Sequence, residues 1–191
     1  QQNRITSVPY DKSLPVHTWW DIGSSDYTSI WFVQYIGREI RVIDYLQHNG
    51  EGPDYYVEQL QNKGYVYADH NLPHDAGHAQ FTLGGKCVGD QLRDLMPSWH
   101  FKVHPVTKNV NADINVTRSF MSRCIFDKVK CQEGLNCLGS YSKKWDDKNR
   151  IFHDKPRHDW ASHGADAFRY LAIGYADHHD EILPNADSNG N

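Results

Sequence analysis

The chain lacks most of the signatures that would assign it quickly. No stretch approaches the roughly 18 consecutive apolar residues of a membrane-crossing helix, and no segment has the order of a signal peptide. No Gly-x-x-x-x-Gly-Lys-Ser/Thr is present. Gly84-Gly85-Lys86-Cys87 lacks both the first glycine spacing and the hydroxyl residue, so ATP hydrolysis is not encoded. No Ser or Cys stands in a Gly-x-Ser-x-Gly frame. His-Glu-x-x-His is missing despite twelve histidines, and Cys87, Cys124, Cys131 and Cys137 form no Cys-x-x-Cys pair, which argues against a zinc knuckle. A disulfide framework is not expected beside so large a core, and reduced thiols in a cytosolic setting are. A large excess of one charge is also lacking, since 20 Lys and Arg against 24 Asp and Glu leave a net value of -4. That excludes a basic coat but not a nucleic-acid partner, because a polyanion needs only a local basic rim on an otherwise acidic surface.

What remains is one domain of 191 residues, 39% hydrophobic, with six Trp, eleven Tyr and seven Phe to fill a core. Residues 1–15 read as an N-terminal arm, 16–180 as the folded domain and 181–191 as a polar, disordered tail. A first residue other than Met suggests a piece of a larger protein or a processed form. Val16–Asp21, Ile30–Ile36 and Glu39–Leu46 read as strands, the last two joined at Gly37-Arg38 as a hairpin. Asp54–Asn62 reads as a helix, Tyr65–Ala68 as a fourth strand and Phe101–Val106 as a fifth. A short helix is expected from about Asp90. Helical spacing of Ile114, Phe120 or Met121, Ile125 and Val129 predicts one helix over Asn111–Gln132, and Asp159–Asp177 reads as the last. A helical crossover returns strand four parallel to strand one, and ligands in such sheets bind beyond the carboxyl ends of parallel strands.

Three carboxylates fall near that edge. Asp21 ends the first strand, Asp75 follows the fourth in Leu72-Pro73-His74-Asp75-Ala76, and Asp166 lies in the last helix. Three ionised acids cannot sit together without a cation, so the arrangement implies a divalent metal site. Hard oxygen ligands point to Mg²⁺ or Mn²⁺. For the second position Asp69, which ends its strand, competes with Asp75, and spacing alone slightly favours Asp69. Asp26 reads as a turn residue or a group behind the ligands. His163 stands three residues before Asp166 on one helix face, where it can share a metal or assist proton transfer. Gly164 between them permits close approach. Residues 143–158 carry six Lys or Arg against three Asp, with Trp145 and Phe152 interleaved. Lys143, Lys144, Lys148 and Arg150 are the candidate phosphate contacts of a DNA-facing hairpin, and a solvated loop is the plainer alternative.

Three segments together resemble the C-terminal nuclease domain of tailed-phage large terminases. They are Trp20-Asp21-Ile22-Gly23-Ser24-Ser25-Asp26-Tyr27-Thr28, Leu72-Pro73-His74-Asp75-Ala76, and His158-Asp159-Trp160-Ala161-Ser162-His163-Gly164-Ala165-Asp166-Ala167-Phe168-Arg169-Tyr170. The resemblance implies an α/β, RNase H-like mixed five-stranded sheet flanked by helices, and a two-metal endonuclease acting on double-stranded DNA. It assigns the ligand roles to Asp21, Asp75 and Asp166, with His163 beside the site, and so prefers Asp75 to Asp69. It further implies a motor ATPase domain in the same polypeptide, a small terminase subunit and a portal as partners, and work in the host cell cytoplasm. Another RNase H-like nuclease, such as a junction resolvase or transposase core, and a non-catalytic DNA-docking module are the alternatives.

Overall fold

A computed structural model describes residues 4–23, 26–78, 85–106, 109–140, 143–146, 151–156 and 160–180. The first strands follow from alternation. In β2 (Val16–Asp21) Val16, Thr18 and Trp20 face one side and Trp19 the other. β3 (Tyr27–Ile36) and β4 (Glu39–Asn49) continue that division, with Ile30, Phe32 and Ile43 on the first side and Trp31, Val33, Val42 and Tyr45 on the second. Both faces are apolar, so helices must cover both.

α1 (Pro53–Lys63) and α2 (Val88–Leu95) cover the first face through Tyr56, Val57, Leu60 and Leu92. α3 (Val110–Met121), α4 (Gln132–Ser140) and α5 (Ser162–Asp180) lie on the second, where Phe120, Phe168, Leu171, Ala172 and Tyr175 meet Trp19 and Trp31. α5 approaches the sheet closely. A Cβ on Gly174 would collide with the Trp19 indole, and one on Gly164 would lie 2.6 Å from the Tyr45 hydroxyl oxygen and 2.8 Å from Cys137 Cβ. Trp31 Nε1 donates to the Gly164 carbonyl at 2.8 Å, which fixes the first turn of α5 on the sheet.

The sheet has seven strands, two more than the sequence predicts. β5 (Tyr67–Leu72) pairs parallel with β2, and β6 (His100–Val103) pairs parallel with β5. The order β4-β3-β2-β5-β6, with β3 antiparallel to both neighbours, is that of the RNase H-like fold. The two additional strands are β1 (Ile5–Thr6), from within the N-terminal arm, and β7 (Cys124–Asp127). β7 pairs parallel with β4, and β1 with β7.

β7 corrects the single helix expected over Asn111–Gln132. That segment is α3, then β7, then the start of α4. Phe120 of α3 and Ile125 of β7 pack on opposite faces of the sheet, so the stripe that their spacing imitates does not exist. Val129, placed on that stripe by the sequence, is 80% exposed in the turn after β7. The basic segment contains a separate antiparallel pair, β8 (Lys143–Asp146) and β9 (Ile151–Pro156). Lys143 and Lys144 belong to β8, while Lys148, Arg150 and the 181–191 tail lie outside the described residues. Among the described residues no helix is long and apolar enough to cross a membrane.

Candidate active site

Three elements end at one place. β2 ends in Asp21, at the carboxyl edge of the parallel pair β2–β5. β5 ends in Leu72, and buried Pro73 and Ala76 anchor the 3-10 turn His74–Gly77, which holds Asp75 exposed. α5 lies across β2 and β3, so its first turns bring His163 and Asp166 over the same edge.

His163 is the hub. Its Nδ1 is 2.8 Å from Asp21 Oδ2, and its Nε2 is 3.1 Å from Asp26 Oδ2. Asp26 also accepts from the Tyr27 amide at 2.9 Å, which turns its carboxylate back toward the ring. The bond to Asp21 raises the His163 pKa to about 9 against the opposing cost of burial, and Asp26 adds to the rise. The imidazole is therefore a cation at neutral pH.

Asp21 shows the opposite stress. Burial raises its pKa to about 6. The His163 bond opposes that rise, and the charges of Asp166 and Asp75 reinforce it. Both distant acids thus act on Asp21 electrostatically. Asp69 does not belong to this group. Its carboxylate is held by His100 at 2.7 Å, Lys102 at 3.1 Å and His17 at 3.5 Å. Burial pushes its pKa up, but the bonds to His100 and Lys102 outweigh that and leave it low. An acid already held by a lysine and two imidazoles is poorly placed to serve as a ligand.

Asp166 accepts from Arg169 at 3.2 and 3.3 Å, and Arg169 also reaches Asp113 of α3 at 3.3 Å. Sequence reasoning left Arg169, Asp113 and Tyr170 without roles and read Asp26 as a turn residue or a group behind the ligands; its bond to His163 is the second of these. Tyr170 was legible as a site neighbour, since it lies one helical turn beyond Asp166.

The residues fit a divalent cation by their chemistry. The oxygen donors of Asp21, Asp75 and Asp166 are hard, and their mutual repulsion already strains Asp21. Among the described residues no group of three or more His, Cys, Asp or Glu is gathered tightly enough to grip one ion as it stands. Carboxylates that repel one another sit apart until a cation offsets their charge.

No family model and no curated protein matches the chain. Solved structures do. The large terminase of a thermophilic bacteriophage superposes with a TM-score of 0.66 at 16% identity, over 92% of this chain and 43% of that one. The P22 large terminase nuclease domain gives 0.64 at 14% identity, over 94% and 90% of the two chains. The nuclease domain of the bacteriophage SPP1 large terminase with bound Mn gives 0.55 at 15%, over 85% and 86%. The likeness shows a shared fold. The chain spans about two fifths of the thermophilic-phage terminase and nearly all of the P22 domain.

Proposed function

We propose, from the fold shared with large-terminase nuclease domains and the acids at the β2–β5 edge, that this chain is a metal-dependent DNA endonuclease that cuts viral concatemeric DNA during genome packaging. The observation that carries the reading is the state of Asp21. A carboxylate half-buried at a strand end, raised to about 6 and pressed by two further acids, is a site built to receive positive charge. The Mn-bound SPP1 nuclease domain supports a divalent ion as that charge.

In this reading Asp21, Asp75 and Asp166 would hold two Mg²⁺ or Mn²⁺ ions. Bound ions supply Lewis acidity to the scissile phosphate and lower the pKa of the attacking water. The chain does the rest. His163 holds the Asp21 carboxylate in one orientation and keeps its own proton between Asp21 and Asp26. Arg169 bonds Oδ1 of Asp166 and so orients that carboxylate. Exposed Asp75 lies on the open side, where a phosphate enters. Lys143, Lys144, Lys148 and Arg150 bind phosphates without reading bases. The motor ATPase domain, small terminase subunit and portal are the partners this role requires, in the host cell cytoplasm.

Plasmid cleavage in Mg²⁺, Mn²⁺ and EDTA tests the reading. Wild-type protein is expected to cut in both metals and not in EDTA. Asp75→Asn, which removes a repelling charge without breaking an observed ion pair, is expected to lose cutting while its metal-free melting temperature stays equal or rises. Cleavage that persists in EDTA sinks the metal mechanism. Cutting confined to branched DNA favours a junction-resolving enzyme, and DNA binding with no cutting in either metal favours a docking module.

A further inference from the structure

Tyr170 sits at the junction of the two elements that carry Asp75 and Asp166. It lies one turn beyond Asp166 and two beyond His163, so the three residues share a face of α5. Its hydroxyl oxygen is 3.3 Å from His74 Nδ1, and His74 immediately precedes Asp75 in the 3-10 turn. The Arg169 guanidinium lies over the Tyr170 ring at 5.1 Å, so the ring is held independently of its hydroxyl. Burial raises the phenol pKa to about 12. Arg169 opposes the rise, and the charges of Asp21, Asp75 and Asp166 add to it. The hydroxyl is therefore within electrostatic reach of all three acids and keeps its proton at neutral pH.

The turn bearing Asp75 follows the end of β5 and shares no ladder with α5. Asp75 and Asp166 each press on Asp21 with like charge, so these acids do nothing to draw the elements that carry them together. We propose that Tyr170 is a positioning residue whose hydroxyl, through His74, ties the Asp75 turn to α5 and sets the separation of Asp75 from Asp166 for divalent-cation binding. The inference rests on the metal-nuclease reading and adds a residue to it. A neutral phenol suits the task, since it can donate to a bare Nδ1 or accept from a protonated one without adding charge to the site.

Tyr170→Phe removes one oxygen and leaves the ring and its guanidinium contact. In the full chain, Mn²⁺ binding is measured by calorimetry or by the free-ion EPR signal, beside metal-free melting and plasmid cleavage. The expected result is Mn²⁺ affinity weakened about 10- to 100-fold, the range for groups that orient metal ligands. kcat is expected to fall with it, while KM for DNA and the metal-free melting temperature hold. His74→Phe is expected to match it. The double variant is expected to be no worse than either single one, because the two groups act as a unit. Wild-type Mn²⁺ affinity in Tyr170→Phe overturns the proposal, as do losses that add fully in the double variant. A wild-type chain that binds no Mn²⁺ overturns the metal reading and the proposal with it, and is distinguishable from both.

Discussion

His163 joins two acids through one ring, and that sets a pH dependence. Its pKa is about 9 in the folded chain and near 6.5 when unfolded. Between those values the folded state binds more protons, so stability falls as pH rises. The contribution is fully present below about 6.5 and gone above about 9, and is on the order of 1–3 kcal/mol. Asp21 shifts between 3.8 and about 6, below this window. Melting of the metal-free protein in EDTA is expected to drop more steeply from pH 6.5 to 9 for wild type than for His163→Gln, and parallel curves would contradict the ion-pair assignment. At this scale the sequence was partly legible. Aspartates at strand ends and a His–Asp helix pair are local patterns. The partners of Asp69 were not, because His17, His100 and Lys102 reach it only through the β2–β5–β6 register. Asp26 was visible as a residue but not as a partner of His163, which lies 137 positions away by sequence number.

At the scale of elements, the site depends on how closely α5 sits on the sheet. Gly164 stands between His163 and Asp166 and faces Tyr45 and Cys137, which bond with Gln47 and Ser29 beneath the helix. Gly164→Ala gains helix propensity of about 1 kcal/mol. It also forces a methyl into a packed contact, at a cost of about 1–3 kcal/mol. Net stability therefore changes little. Geometry changes more, since the first turn of α5 must lift from the sheet and carry His163 and Asp166 with it. A displacement of about 1 Å at reacting groups costs up to about 100-fold in rate. The expected outcome is a modest fall in melting temperature with a much larger loss of cleavage, compared on the same preparation. Full activity in Gly164→Ala would show that α5 tolerates the shift. The strand–hairpin–helix–strand order was legible because each element carries its own period. The helical character of α3 was legible too, but its end at Met121 and the change to β7 and α4 were not, since β7 has only four residues and acquires its strand character by pairing with Ile40–Val42 of β4.

On the scale of the whole molecule, the proposed function asks an acidic chain to hold a polyanion. The net charge of -4 repels DNA at long range, so binding requires cations gathered on one part of the surface. The 143–158 segment, with six Lys or Arg against three Asp, is the strongest such concentration that the sequence reading identified. The β8–β9 pairing makes a hairpin of it, apart from the main sheet. Contacts to phosphates alone have a measurable signature. Each neutralised phosphate contributes about 0.9 to the slope of log K against log salt. Replacing Lys143, Lys144, Lys148 and Arg150 with Ala is expected to lower that slope by up to about 3–4 if all four touch phosphates. Affinity is expected to fall alike on unrelated duplexes, because phosphate contacts carry no base information. Mn²⁺ binding by the same variant is expected to hold, since none of the four is a proposed ligand. Binding titrations on two duplexes at several salt concentrations read both quantities. An unchanged slope would move the DNA path off the hairpin. A loss confined to one duplex would mean that the hairpin reads sequence, which a cutter of packaged concatemers has least need to do.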